Sequence, residues 1–245
     1  ALSSAQPTGC DAIAVVEAGQ LAGILTAHDA IRHVLDKGLD PHTTTVGDVM
    51  TRGVKTMHPA ATPHEALVTM SAGDFRHLPL STDGMTVAGM LSLRKMVRTI
   101  LATTPLPAVS ESYTNLLDVS YNPVATLTPS HPVEAAVRQV AHSRCDAVLV
   151  KVKDWTVGIV TIHDIINKLL LQNRNPRETL VGDVMTAPVV ALRPQATAQE
   201  AIDLMMQWNV RHIPVTTSWA TVDGMLSLRK LLLHLVEQSG RSGAA

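Results

Sequence analysis

GMLSLRK occupies Gly89 to Lys95 and returns letter for letter at Gly224 to Lys230. Two related heptamers, GILTAHD at Gly23 to Asp29 and GIVTIHD at Gly158 to Asp164, close on an acid where the first pair closes on a base. Partners lie 135 residues apart in both cases, and that spacing extends outward from them. VGDVMT begins at Val46 and again at Val181. Arg76-His77-Leu78-Pro79 returns as Arg211-His212-Ile213-Pro214, and Cys10-Asp11-Ala12 as Cys145-Asp146-Ala147. An offset held across the chain without insertion means two copies of one folding unit.

Each copy divides again, into a part that closes on the acidic heptamer and a part that closes on the basic one. The chain therefore reads as four motifs in A-B-A-B order: 1–41, 46–102, 121–176 and 181–238, with a tail at 239–245. The stretch 103–120, with Pro105 and Pro107, reads as the linker between copies. By the offset Ala1 falls opposite Ala136, so motif 1 lacks the counterpart of Tyr121 to Ala135. A chain cut from a longer polypeptide is expected.

Within a motif the order expected is strand, helix, strand, strand, helix. Thr62-Pro63-His64-Glu65 and Thr197-Ala198-Gln199-Glu200 have the form of capping boxes that open helices. Ala147 to Val150 and Val157 to Val160 are short apolar runs on either side of a turn, expected as buried strands. Leu-rich helices over Asp164 to Leu171 and Leu228 to Val236 close motifs 3 and 4. Units this small cannot cover both faces of a sheet alone, so the fold class is α/β with motifs packed in pairs, sheet against sheet and helices outside.

Composition narrows the partners. Hydrophobic residues make up 46% of the 245 and aromatic residues 2%, which leaves no stacking surface for single-stranded nucleic acid. The 20 basic and 21 acidic residues give a net charge of -1, so no global field draws nucleic acid or an anionic membrane. No apolar run approaches the ~18 residues of a transmembrane helix. Two cysteines fit a reducing compartment, hence an intracellular protein of the cytoplasm or an organelle. No H-E-x-x-H, compact Cys/His set, Walker loop, G-x-G-x-x-G or G-x-S-x-G is present, so no enzyme, metal or required cofactor is expected.

The VGDVMT opening, the RHLP/RHIP strand and the Gly-x-x-Thr/Ser-x-x-Asp close resemble the cystathionine-β-synthase (CBS) domain. The resemblance covers nearly the whole chain, and the ordered set repeated is specific where each motif alone is weak. It implies β-α-β-β-α motifs paired into two Bateman modules, the first motif incomplete at its N-terminus. It also implies clefts that bind AMP, ADP, ATP or S-adenosylmethionine, and a homodimer or larger protein assembly. Association is expected through the closing helices, Leu169 to Leu171 and Leu231 to Leu233.

By the same resemblance Thr26 with Asp29, and Thr161 with Asp164, are ribose-binding pairs. An ionised carboxylate offers acceptors to a vicinal diol, and such charge-assisted bonds are strong. Lys95 and Lys230 stand where that acid is expected and cannot accept a bond. The pattern is similar to that of the γ subunit of AMP-activated protein kinase, in which basic residues of the partner motif reach the phosphate. Mapped here, Arg76, His77, Ser92, Arg94 and Lys95 would face a nucleotide held by Asp29. Arg211, His212, Ser227, Arg229 and Lys230 would face one held by Asp164. Structural alternatives stand beside each assignment. The acids could serve as helix caps alone, and the Arg-Lys pairs could be solvated helix starts. The leading expectation is a non-catalytic sensor of adenine nucleotides; the alternative is a constitutive scaffold whose clefts stay empty.

Overall fold

The computed structural model describes residues 12–73, 75–103, 115–120, 123–143, 145–208, 210–218 and 221–242. The front of motif 1 with Cys10 and Asp11, the prolines of the linker and the last three residues lie outside the described residues.

Motif 1 comprises β1 (Ala12–Glu17), β2 (Gln20–Thr26) and α1 (Ala27–Asp29), which runs on as a π-helix over Ala30–Leu35. Motif 2 comprises α2 (Val46–Val49), α3 (Pro63–Ala72), β3 (His77–Leu80), β4 (Gly89–Ser92) and α4 (Leu93–Thr103). Motif 3 repeats the first with an additional front: β5 (Thr126–Leu127), α5 (Val133–His142), β6 (Ala147–Val152), β7 (Trp155–Thr161) and α6 (Ile162–Ile165), with a π-helix over Ile166–Leu170. Motif 4 repeats the second as α7 (Val181–Val184), α8 (Ala198–Gln207), β8 (His212–Val215), β9 (Gly224–Ser227) and α9 (Leu228–Ser242).

The expected five-element order is complete in motif 3, where β5 pairs parallel to β6 and β6 pairs antiparallel to β7. In motifs 2 and 4 the first strand shrinks to one parallel bridge, Met57 with Leu80 and Leu192 with Val215. Pro59 and Pro194 follow two residues later, as Pro129 follows Leu127 of the two-residue β5, and a residue without an amide hydrogen keeps the ladder short in all three motifs. Both capping boxes form. Thr62 and Thr197 donate backbone N–H to Glu65 and Glu200 at 2.7 Å each, and each glutamate's amide donates back to its threonine hydroxyl.

Sheets meet within a copy. In the second copy Cys145, Ala147, Leu149 and Ile159 of motif 3 form one cluster with Met225 of motif 4. In the first, the Leu21 amide donates to the Met85 carbonyl at 2.8 Å. Strands are also lent across the pair. Ile24 and Thr51 exchange backbone hydrogen bonds, as do Ile159 and Thr186, so each B motif's opening adds an edge to its A neighbour.

Helices meet between copies. Ala66, Met70 and Met96 of motif 2 share a core with Ile202, Met205, Leu231 and Leu232 of motif 4. Ile31 of motif 1 packs with Val137, Ile165 and Leu169 of motif 3. The helices lie outside each sheet pair as expected, but the other copy covers them. Leu169, Leu231 and Leu232 are therefore buried inside the chain and are not the self-association surface the sequence suggested; Leu171 alone of the closing leucines is exposed. Among the described residues no helix is long and apolar enough to cross a membrane.

Candidate functional site

Asp29 owes its position to the end of β2. Thr26 is the N-cap of α1 in extended conformation, and its hydroxyl accepts the Asp29 amide at 3.2 Å. Asp29 Oδ2 in turn accepts the Thr26 amide at 2.8 Å and the Thr26 hydroxyl at 2.6 Å. The Thr-x-x-Asp spacing is thus a capping box, with the acid at the third helical position instead of the cap. The lent strand supplies a third donor: Thr51 Oγ1 reaches Asp29 Oδ1 at 3.0 Å.

Gly23 makes that approach of Thr51 possible. A Cβ there would stand 2.7 Å from the Thr51 carbonyl oxygen, which is backbone and accepts the Ile24 amide. At the matching Gly158 the nearest atoms all belong to the flexible side chain of Met185. Gly23→Ala is therefore expected to destabilise the fold by ~1–3 kcal/mol, and Gly158→Ala by clearly less. Urea unfolding midpoints of the two variants test the order.

Asp29 borders a cavity of about 630 Å³ that all four motifs line. Motif 1 gives Ile24, Asp29 and Arg32; motif 2 gives Val54, Lys55, Phe75, Arg76 and His77; motif 3 gives His142, Asp146 and Ile162; motif 4 gives Arg211 and Arg229. Five permanent cations thus face two carboxylates, a balance that draws anions. Two imidazoles in or beside the cavity, His28 and His212, add little to it. Burial holds His28 below the ordinary histidine range, with Arg76 reinforcing and Asp146 opposing. Burial, with Arg76 and Arg211 on the same side and Asp146 opposed, pulls His212 down to about 4.

Asp146 is the buried pivot, 3% exposed. Arg76 of the first copy forms a short ion pair with it across the boundary between copies. Burial pushes the Asp146 carboxyl up, but Arg76, His212 and Arg211 outweigh it and hold it below the usual carboxylate range. Arg211 in turn places a guanidinium nitrogen 2.9 Å from Nδ1 of His163.

The sequence-derived residues distribute as follows. Thr26, Asp29, Arg76 and His77 share the cavity, while Ser92, Arg94 and Lys95 are not among its lining residues. Their place is taken by Arg211 and Arg229 of the other copy. Arg94 reaches across in the opposite sense and donates to the Val210 carbonyl at 3.3 Å. Ser92 and Ser227 accept the amides of Lys95 and Lys230 at 3.2 Å each, so they cap α4 and α9. Lys230 donates to the Ser120 carbonyl at 2.9 Å, and burial lowers its pKa. His212 and Ser227 are buried. Thr161 and Asp164 repeat the capping box. Among the described residues no group of three or more His, Cys, Asp or Glu side chains could hold a metal ion.

A family model described as "CBS domain" matches residues 46–102, 116–171 and 181–237, well over half of the chain. The chain belongs to the CBS-domain family. Its first CBS motif lies outside the matched segments, but its β1–β2 hairpin repeats β6–β7 in register, down to the irregularity after Val15 and after Val150. Among curated proteins the chain is 27% identical to the CBS domain-containing protein CBSCBSPB3 of Arabidopsis thaliana, over 91% of this chain and 46% of the relative. It is 28% identical to CBSCBSPB2 of the same plant, over 84% and 44%. The chain thus spans less than half the length of these relatives. Among solved structures, protein MJ1225 of Methanocaldococcus jannaschii, proposed as an archaeal homologue of γ-AMPK, aligns with a TM-score of 0.75 at 15% identity, over 93% of this chain and 89% of that one. An uncharacterized conserved protein of Pyrococcus horikoshii aligns with 0.65 at 20% identity, over 94% and 92%. Four CBS motifs paired into two Bateman modules are therefore the fold.

Several cavity residues escaped the sequence reading. Asp146 was visible only as part of the repeated Cys-Asp-Ala. Val54, Lys55 and Phe75 sit in stretches without a repeated motif, and nothing in their spacing marks them. Arg229 was read as serving the Asp164 cleft because repeat order says nothing about which copy a side chain faces.

Proposed function

We propose that the chain is a non-catalytic regulatory protein that binds one adenine nucleotide or a related adenosyl ligand in the Asp29 cavity. AMP, ADP, ATP and S-adenosylmethionine are the candidate ligands. One observation carries this reading: a carboxylate held by a capping box shares a cavity with five cations and with apolar walls at Ile24, Val54, Phe75 and Ile162. The carboxylate suits a vicinal diol, Arg76, Arg211 and Arg229 suit phosphate, and the apolar walls suit a flat base. A volume of about 630 Å³ falls inside the range of small-molecule sites. Because the cations come from both copies, a bound nucleotide favours the arrangement in which the copies are closed. A partner protein that touches both would read the shift.

The test is a thermal-shift series with AMP, ADP, ATP and S-adenosylmethionine. At about 100 times its Kd, the true ligand adds ~2.7 kcal/mol. For a chain of this size that raises the Tm by roughly 5–10 °C. Asp29→Ala should abolish the rise. A flat response to all four compounds would overturn the proposal in favour of a constitutive scaffold. The Arg76–Asp146 pair favours that second reading, since the chain's own acid already engages one of the phosphate-binding candidates.

A further inference from the structure

The two capping boxes are alike until the next helical turn. At Asp164, Oδ2 accepts the Thr161 amide at 2.9 Å and the Thr161 hydroxyl at 2.7 Å. Its Oδ1 accepts the Thr186 hydroxyl at 2.7 Å, and also the ammonium of Lys168 at 2.7 Å. A carboxylate offers about four acceptor positions, and here all are taken. Lys168 also donates to the Val184 carbonyl at 2.8 Å and to the Thr186 hydroxyl at 3.1 Å, so its head is fixed between its own helix, the end of α7 and the lent strand. The residue at the matching position of the first copy is His33, whose Nε2 stands 4.0 Å from Asp29 Oδ1, beyond hydrogen-bond reach. Asp29 thus carries three close donors and no ammonium.

We infer that Lys168 occupies the position a ribose diol would take at Asp164, so that the chain binds a single nucleoside ligand, at Asp29, and keeps its second cleft closed with its own side chain. The inference rests on the nucleotide reading above and deepens it. A diol is neutral, and at Asp29 one acceptor position stays open to one of its hydroxyls. To enter at Asp164 it would have to displace a cation that is bonded at 2.7 Å and anchored on a backbone carbonyl as well. Charge-assisted bonds of that kind are the stronger ones, so the resident lysine wins. At Asp29 no such competitor is bonded.

Isothermal titration with AMP tests this on the whole chain. The wild-type protein should bind one equivalent. Asp29→Asn should weaken binding by about 30-fold or more, whereas Asp164→Asn should change Kd by less than about 2-fold and leave the stoichiometry at one. Lys168→His, which copies the first cleft, should bind a second equivalent. The double variant Asp29→Asn with Lys168→His should retain one site, moved to Asp164. Circular dichroism melts check that each variant folds; should Lys168→His fail to, the Asp29→Asn and Asp164→Asn pair still decides. Two equivalents in the wild type, or Asp164→Asn weakening binding as much as Asp29→Asn, would overturn this inference and leave the nucleotide reading intact. So would a folded Lys168→His that binds one equivalent only. No heat from the wild type or any variant with AMP, ADP, ATP or S-adenosylmethionine would overturn both.

Discussion

Replacing Arg76 with Met is expected to destabilise the fold by about 3–5 kcal/mol, far more than a surface arginine would. The cause is the partner left behind. Asp146 is buried just ahead of β6, and Arg76 pairs with it directly. Without that guanidinium the carboxylate must stay ionised in a poorly hydrated place, protonate, or draw in water, and each option costs free energy. The pair also crosses the boundary between copies, so its loss should loosen the junction first. Hydrogen exchange at β3 and β6 should then rise before global unfolding. A second variant separates a stranded charge from a lost attraction. Adding Asp146→Leu to Arg76→Met should restore most of the stability, because replacing both members of a buried pair with apolar groups is often neutral or better. If the double variant is as unstable as the single, the pair itself stabilises and the explanation by desolvation is wrong.

Acid should unfold the protein through the same centre. His212 is buried in β8, with its pKa pulled from 6.5 to about 4, mainly by burial. A base whose folded pKa lies below its unfolded pKa takes up its proton more readily in the unfolded chain. Between about pH 6.5 and 4 the unfolded state therefore binds more protons, and stability falls as pH falls through that window. The full contribution is present above the window, and its loss is about 3 kcal/mol by pH 4. His28, also lowered, adds in the same direction. Asp146 is depressed below the carboxylate range, so its contribution persists through this window and is lost only at lower pH. Urea titrations at pH 7.0 and pH 4.5 measure the slope, and His212→Gln should flatten most of it. A slope unchanged in His212→Gln would place the titration elsewhere.

The repeat offset made the four motifs and their alternation legible, because identical heptamers at one spacing admit no other division. Capping boxes at Thr62 and Thr197 were equally plain, since their chemistry is local. What stayed hidden is which surfaces meet. Periodicity says that α4 and α9 each have an apolar face; it does not say that each covers a helix of the other copy. For the same reason the sequence paired Arg94 with Asp29, although Arg229 lines that cavity. Repeat order ranks residues by similarity, and side-chain direction across an interface is a matter of docking. The His33 to Lys168 difference was readable in principle. Aligning the copies places a lysine one turn beyond Asp164, where the helical (i, i+4) relation brings it to the carboxylate.

The shared helical core has a consequence for biosynthesis. Met70, Leu78 and Met96 find their partners in Ile202, Met205 and Leu231, more than a hundred residues further along. A ribosome must therefore extend the chain almost to Leu232 before the earlier half can bury its apolar helices. Such distant contacts make for slow folding, with half-made polypeptide exposing leucine and methionine while it waits. The nascent first copy should accordingly be a strong client for chaperones until its twin emerges from the exit tunnel.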